Sequence, residues 1–171
     1  KISKKHKIPV ICDSAQTIKS QYKGEKSGEQ FDFTVYSFEQ KKHFTTGSEG
    51  GMIVTNDKNL AERARKYAGI GYKHLTSEAG RTSLSKSEAQ NPNYKRFEVL
   101  GFNYRMNQIS AYLGILQLSR LEKLIDNRIR IAKIFENEMK NFKSFSFQNS
   151  NYSAKHTYYT FAMVYDGNSA T

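Results

Sequence analysis

A lysine that follows a strand-like run is the first feature of this sequence that could do chemistry. The alternating residues Phe31–Phe38 predict a strand, and Lys42 lies shortly after it, before the turn residues Thr45-Thr46-Gly47. In such a turn the backbone can approach a ligand closely. A lysine desolvated there becomes more nucleophilic, because desolvation disfavours the charged amine. The pattern therefore indicates an amine presented to a carbonyl cofactor, with a solvated surface lysine as the ordinary alternative.

An aspartate at the end of another strand could serve the same cofactor. Ile8–Cys12 is a short apolar run of the kind found in buried strands, and Asp13 follows it directly. Parallel α/β sheets place functional residues at the carboxyl ends of their strands. An aspartate there can hold the proton of a pyridinium nitrogen, which keeps the ring an electron sink. The alternative is that Asp13 only caps a helix in the segment that follows.

Further elements must position these two residues. Gly51–Thr55 predicts a third strand, and Asn59–Ala68 predicts a helix capped by Asp57 or Asn56. The polar stretch from Ile70 to about Arg96 has no periodicity and predicts a long loop, of a length that tends to be functional or mobile.

The last third of the chain predicts a long helix and a second unit. Apolar residues recur at helical spacing from about Asn107 to Lys140, which predicts one helix that bends or bridges two domains. Phe145–Phe147 and Tyr158–Tyr165 then predict strands of the second unit. His156 and Tyr158 could face a substrate, but we interpret each as an ordinary strand residue.

Composition limits the classes of function. The chain has 171 residues, 37% of them hydrophobic, which is enough for one domain with a hydrophobic core. Its apolar runs are too short to cross a bilayer, and its single cysteine, Cys12, cannot form an internal disulfide. We therefore expect a cytoplasmic protein without a membrane partner, in which Cys12 is a buried, unreactive thiol.

The formal net charge of +11 raises the question of nucleic acid. The basic residues are spread along the chain, and they do not form a helical face with interleaved aromatic residues. We interpret the charge as a solvated surface that could attract a nucleotide-sugar phosphate. A basic nucleic-acid-binding module remains an alternative, but it leaves Lys42 and Asp13 unexplained.

Four motifs follow one another in order along the chain. They are Val10-Ile11-Cys12-Asp13-Ser14-Ala15-Gln16, Ser37-Phe38-x-x-x-Lys42, Thr45-Thr46-Gly47 with Glu49-Gly50-Gly51-Met52, and Leu100-Gly101-Phe102-Asn103-Tyr104-Arg105-Met106. Together they resemble the DegT-type sugar-nucleotide aminotransferases, which are pyridoxal-phosphate (PLP) enzymes of the aspartate-aminotransferase fold. The resemblance runs from Pro9 to about Arg130 and, more faintly, to Tyr165.

The resemblance implies a role for each matching residue. Lys42 would bond covalently to the cofactor aldehyde, and Asp13 would pair with the pyridine nitrogen. Gln16 would lie against the cofactor ring, and Ser37 would bind the phosphate. Lys41 competes with Lys42 for the covalent role, and the spacing from Ser37 favours Lys42.

The resemblance also implies a homodimer whose active sites are shared between subunits. Asn103, with Arg105 as a second candidate, would reach a phosphate across the interface. Relatives that dehydrate sugars carry a histidine at the position of the cofactor lysine. Here Lys42 occupies that position and His43 follows it, which favours transamination.

The implied reaction converts a nucleotide-linked keto-sugar into an amino-sugar, with an amino acid, usually glutamate, as the donor. The product would serve surface polysaccharide or related amino-sugar biosynthesis. A non-catalytic or regulatory protein of the same fold is the alternative, because a fold does not determine a function.

The implied fold is α/β. The chain would form part of the large PLP-transferase domain, which is aspartate-aminotransferase-like (type I) and has a mostly parallel sheet, and it would also contain the start of a small C-terminal α+β domain. Residues 1–125 would belong to the large domain, and residues 126–171 to a linking helix and the small domain. The resemblance implies that the family's N-terminal half and the end of its small domain are absent, so we expect this piece alone to be inactive. Ser48 lengthens the turn after the lysine by one residue, and loop 71–98, longer than in many relatives, would cover the site or the partner subunit.

Overall fold

Three short strands form the sheet that carries the predicted site residues Asp13 and Ser37. The computed structural model describes residues 2–148 and 153–167. The elements in chain order are α1 (Ile2–His6), β1 (Ile11–Asp13), β2 (Gln21–Tyr22), β3 (Glu25–Lys26), β4 (Phe33–Ser37), β5 (Gly51–Val54), α2 (Lys58–Ala68), α3 (Lys86–Gln90), α4 (Gln108–Leu118), α5 (Leu121–Met139), β6 (Phe145–Phe147), β7 (Ala154–Lys155) and β8 (Met163–Tyr165).

The main sheet has the order β1–β4–β5 and contains one parallel and one antiparallel pair. Strands β1 and β4 are parallel, with Asp13 opposite Val35. Strand β5 returns antiparallel to β4, with Gly51 opposite Ser37. The predicted α/β class is confirmed, and the second and third predicted strands appear with slightly shorter bounds.

The first predicted strand is wrong in its start and in its burial. It begins at Ile11, because the two residues before it have no amide proton available for the sheet. Pro9 has none, and the Val10 amide donates to Asp32 Oδ2 at 2.7 Å. Ile11 is exposed, since the side of the sheet next to α2 is an open groove of about 340 Å³. Most of that groove is lined by apolar side chains from the sheet and from α2.

Cys12 is partly buried, which corrects the expectation of a fully buried thiol. It lies at the centre of β1, and its Sγ is 3.5 Å from Ser14 Oγ. Ser14 Oγ in turn lies 3.4 Å from Ser27 Oγ. The thiol therefore has polar neighbours where the sequence predicts an apolar environment.

Helix α2 begins where the sequence predicts, with Asp57 as its N-cap. Asp57 Oδ1 accepts hydrogen bonds from the amides of Asn59 and Leu60, at 2.8 and 3.0 Å. These bonds satisfy two of the amides that a helix leaves unpaired at its start. Asp57, rather than Asn56, therefore caps the helix.

The predicted single helix over residues 107–140 is wrong, because two helices, α4 and α5, meet at Ser119 and Arg120. The Ser119 hydroxyl donates to the Leu116 carbonyl at 2.7 Å, a local bond that competes with helix continuation. Arg120 has φ −101° and ψ −6°, outside regular helical geometry. Within the described residues, no helix is long and apolar enough to cross a bilayer.

The hydrophobic core joins the segment after β4 to the start of α5. Phe38 and Phe44 pack against Leu121 and Ile125, and Ile125 is fully buried. The Phe38 and Phe44 ring centroids are 4.6 Å apart, within the range of favourable aromatic pairs. Helix α5 therefore supports the region in which Lys42 lies. The division into residues 1–125 and 126–171 stays a prediction, and its boundary falls within α5.

Two small antiparallel sheets complete the described residues, β3–β2–β7 and β6–β8. The β6 prediction is confirmed, but the predicted strand over residues 158–165 is wrong in its first half. In this range Met163–Tyr165 forms the strand, and Tyr158, with φ 49° in the left-handed region, cannot belong to one. His156 and Tyr158 therefore lie outside any strand.

Residues 71–98, here called the polar segment, are a long connection with one short helix, α3. Ser85 and Glu88 form a reciprocal capping box at its start. The Arg81 guanidinium makes two 2.7 Å bonds to the Glu88 carboxylate, and His74 Nε2 lies 3.0 Å from the same group. At the end of the segment, Glu98 accepts a hydrogen bond from Lys66 of α2 at 2.8 Å.

Candidate active site

The carboxyl ends of β1 and β4 lie side by side and carry two of the predicted cofactor residues. Asp13 ends β1 opposite Val35, and Ser37 ends β4. Side chains alternate along strands, so Ser37 lies on the same face as Val35 and Asp13. The topology therefore brings Asp13 and Ser37 to one edge of the sheet.

Both side chains at this edge have hydrogen-bonding capacity left for a ligand. Asp13 is exposed and accepts one hydrogen bond, from the Ala15 amide at 3.0 Å. The segment after it is a turn, so its predicted alternative role as a helix cap is wrong. Ser37 Oγ accepts from the Glu39 amide at 3.3 Å, and within the described residues its own proton has no acceptor.

The lysine turn, residues 39–50, is closed at its base by backbone hydrogen bonds. The Phe38 amide donates to the Gly50 carbonyl at 2.8 Å, and the Thr46 amide donates to the Phe38 carbonyl at 3.2 Å. Thr46 is buried, and its hydroxyl donates to the Glu49 carbonyl at 2.8 Å. A Cβ at position 50 would collide with that hydroxyl, which explains the glycine. The extra residue Ser48 is accommodated on the exposed side of this turn.

The two adjacent lysines have different environments. Lys41 is exposed, whereas Lys42 is partly buried. The Lys42 Nζ atom lies 4.8 Å from the centroid of the Tyr159 ring, over its face. Lys42 therefore points to a protected position, as a cofactor-bonding lysine must, and Lys41 points to solvent.

His43 anchors the lysine turn to a distant segment. Its ring is buried, and Nε2 lies 3.1 Å from the Thr157 carbonyl oxygen. Because a carbonyl only accepts, Nε2 carries the proton and Nδ1 presents a lone pair. Burial lowers the pKa of His43, with the Thr157 bond opposing it and the charges of Arg128 and Lys42 adding to it. Nδ1 is buried without a hydrogen-bond partner among the described residues.

A strap formed by residues 156–161 crosses the lysine turn. Arg128 of α5 donates from Nη1 to the carbonyls of Tyr158 and Tyr159, each at 3.4 Å. The Tyr158 hydroxyl donates to Glu136 of the same helix at 3.1 Å. Sequence reasoning missed Tyr159 and Arg128, because nothing local in the sequence marks residues so far apart as neighbours of Lys42.

The remaining predicted site residues are exposed. Gln16 lies in the turn after β1, close in sequence to Asp13. Asn103 and Arg105 lie beside the end of α2, where Gly69 forms a bridge to Asn103. Arg105 Nε donates to Asn103 Oδ1 at 2.9 Å, so the two side chains are oriented together. Their exposure leaves both available to another subunit.

The residues at the sheet edge fit PLP in their chemistry. An amine, a carboxylate and a hydroxyl are the groups needed for its aldehyde, its pyridine nitrogen and its phosphate. Lys42, Asp13 and Ser37 supply them from the lysine turn and the two strand ends. A larger groove of about 550 Å³ lies at the opposite ends of the strands, around Val10, Asp32 and Asn56, and contains none of these three residues.

Comparison with known proteins finds one family model and several relatives that match this chain. The model of the DegT/DnrJ/EryC1/StrS aminotransferase family matches residues 1–170. GDP-perosamine synthase of Caulobacter vibrioides is 34% identical over 139 residues, which cover 81% of this chain and 32% of that protein. The putative pyridoxal phosphate-dependent aminotransferase EpsN of Bacillus subtilis is 34% identical over 134 residues, 77% of this chain and 29% of that protein.

Among solved structures, Helicobacter pylori PseC, an aminotransferase involved in the biosynthesis of pseudoaminic acid, is similar to this chain. The TM-score is 0.79 at 26% identity, over 96% of this chain and 40% of PseC. The chain spans about a third of the length of the two curated relatives it matches.

Proposed function

The chain belongs to the DegT/DnrJ/EryC1/StrS aminotransferase family, and we propose that the complete protein is a PLP-dependent aminotransferase acting on a nucleotide-linked keto-sugar. The resemblance predicted from the four motifs is thereby confirmed, and PLP is confirmed as a cofactor of the family. The observation that carries the proposal is that Asp13 and Ser37 end neighbouring parallel strands, and that the partly buried Lys42 lies in the turn that follows Ser37.

Each of these residues has a defined task in the proposal. When bound, PLP supplies an aldehyde and an electron-withdrawing ring. Lys42 would hold the cofactor at its aldehyde through Nζ and, once released, would carry a proton on Nζ as the general acid and base. Asp13 would keep a proton on the pyridine nitrogen, Ser37 would donate to the phosphate, and Gln16 would contact the ring.

The second half of each site comes, in this proposal, from another copy of the protein. Asn103 and Arg105 are exposed and hydrogen-bonded to each other, so they present an amide and a guanidinium to an approaching phosphate. This favours a homodimer with shared active sites. The names of relatives that act in GDP- and amino-sugar synthesis support a nucleotide-sugar substrate, and we infer an amino-acid donor such as glutamate, a role in polysaccharide biosynthesis and a cytoplasmic location.

The test is made on the complete protein mixed with PLP. We expect a visible absorption band. Borohydride reduction should then attach the cofactor permanently to a single peptide, in which mass spectrometry finds the added mass on Lys42. Lys42→Ala should abolish the band, whereas the matched control Lys41→Ala should keep it. Transfer of the added mass to Lys41 would move the assignment by one residue, and the absence of any band in the wild type would contradict the enzyme proposal.

Asp13→Asn separates cofactor chemistry from cofactor binding. The amide cannot hold a proton on the pyridine nitrogen, so we expect the band to form while turnover with glutamate and a nucleotide keto-sugar falls at least about 100-fold, the scale of a positioned acid or base. Unchanged turnover would show that Asp13 does not act on the cofactor. A non-catalytic protein of the same fold would show the band but no transfer of amino groups.

A further inference from the structure

Among the residues that the structure describes, the partner of the Lys42 amine is an aromatic ring. Nζ lies 4.8 Å from the centroid of Tyr159, within the distance at which a ring face attracts a cation. Within residues 2–148 and 153–167, the amine makes no hydrogen bond and no ion pair. Tyr159 is itself half-buried, so the contact is partly shielded from water.

The backbone that carries Tyr159 is fixed from two sides. On one side the buried His43 ring holds the Thr157 carbonyl at 3.1 Å, and the rings of His43 and Tyr159 lie 5.8 Å apart. On the other side Arg128 donates to the carbonyls of Tyr158 and Tyr159. The hydrogen bonds from His43 and Arg128 go to backbone carbonyls of the strap, so they persist when the Tyr159 side chain changes.

We propose that Tyr159 is a positioning residue for Lys42, whose ring holds the charged amine whenever the amine is not bonded to the cofactor. This inference rests on the proposed function of Lys42. The face of an aromatic ring attracts an ammonium group much more than a neutral amine. The ring therefore holds the side chain of the displaced lysine and keeps it from extending into solvent.

The proposal can be tested without activity, by chemical labelling of the complete protein freed of cofactor. An amine-reactive anhydride attacks only neutral amines, and mass spectrometry reports the modified fraction at each lysine. The exposed neighbour Lys41 serves as the internal reference. We expect Tyr159→Leu to raise the labelling rate of Lys42 relative to Lys41 by roughly two- to five-fold, the scale of one partly exposed cation–π contact.

Tyr159→Phe is the matched control, because it keeps the ring and removes the hydroxyl. Its Lys42-to-Lys41 labelling ratio should equal that of the wild type. An unchanged ratio in Tyr159→Leu, or an equal rise in both variants, would overturn the proposal. Melting temperatures of the variants, measured alongside, ensure that the labelling is compared between folded proteins.

The support from Arg128 is tested by Arg128→Met, with Arg130→Met as the control on an exposed part of the same helix. We expect the labelling ratio of Lys42 to rise in Arg128→Met and to stay unchanged in Arg130→Met. Equal ratios in these two variants would contradict the supporting role of Arg128.

Failure of this inference is distinguishable from failure of the proposed function. If PLP gives no visible band with the wild type, the function fails, whatever the labelling ratios are. If the band forms on Lys42 but Tyr159→Leu leaves the labelling ratio unchanged, the function stands and the positioning role is overturned.

Discussion

The lysine turn and the polar segment are both long connections, but they are held in place by different forces. In the lysine turn, His43, Phe44 and Thr46 are buried, and Phe44 packs into the core on α5. In the polar segment no side chain is buried, and the Arg81–Glu88 and Lys66–Glu98 ion pairs act beside the stacked rings of Tyr72 and Phe97. The geometry of the lysine turn should therefore depend less on salt and pH than that of the polar segment.

The largest effect is expected from breaking the apolar support of the lysine turn. Phe44→Ala removes a buried ring packed against Phe38, and should lower the free energy of unfolding by about 3–5 kcal/mol. Urea unfolding measures the loss. Phe142→Ala, at a position 59% exposed, is the control and should cost less than about 0.5 kcal/mol. Equal losses in the two variants would contradict the assignment of Phe44 to the core.

A smaller effect is expected where the polar segment meets α2. The Lys66 side chain is 9% exposed and bonds Glu62 and Glu98 at 2.7 and 2.8 Å. Because both carboxylates are about half exposed and can be hydrated, Lys66→Met should cost only about 1 kcal/mol. Lys58→Met, which removes an exposed 3.4 Å pair with Glu78, is the control and should change stability little.

The Lys66 effect has a defined pH dependence. The hydrogen bonds from Glu62 and Glu98 raise the pKa of Lys66 above its ordinary 10.5. The charged form is thus favoured in the folded state, and the contribution to stability is complete below pH 10.5 and is lost as the pH rises through the folded pKa. Above neutral pH, the stability difference between wild type and Lys66→Met should shrink as the pH rises through the folded pKa of Lys66, and a constant difference across that range would exclude the ion pairs as its cause.

The smallest effect is local to the polar segment. The Arg81 guanidinium, followed by the Ser85 amide and hydroxyl, holds the pKa of Glu88 well below its usual range. Its contribution is present above pH 4.5, the ordinary value, and is lost as the pH falls toward the folded pKa. Glu88→Gln should raise amide exchange in the polar segment several-fold at neutral pH, with the lysine turn unchanged.

Glu78→Gln is the matched control for that measurement, since Glu78 is exposed and lies outside the Arg81 cluster. Equal exchange in the two glutamine variants would show that the Arg81–Glu88 pair does not order the segment. High salt should shift amide exchange in the wild type toward that of Glu88→Gln, because the Arg81 side chain is partly exposed and salt weakens its pair with Glu88.

The same contrast explains what the sequence could predict. Strands β4 and β5 and the cap at Asp57 were predictable because alternation and capping are local signals. Helix α3 carried such a signal too, in Ser85 and Glu88, which was missed. The break at Ser119 was not predictable, because serine within an apolar periodic run gives no clear stop signal.

Contacts between distant residues were out of reach of sequence reasoning. The polar pair β2 and β3 and its partner β7 are too short to show alternation. The motifs located Lys42, Asp13 and Ser37, and the assignment of their roles stays a prediction. Tyr159 follows from the tertiary structure alone, since only the crossing of the strap over the lysine turn brings its ring to Lys42.

The antiparallel return of β5 has a consequence for the order of assembly. Strands β4 and β5 are neighbours in the chain, so the hairpin that contains Lys42 closes a short loop at low entropic cost. The His43–Thr157 bond joins residues 114 positions apart and must form later on a growing chain. We therefore expect a nascent protein to display the Lys42 amine first and to cover it afterwards. That order leaves an interval during synthesis in which the amine is open to an incoming aldehyde.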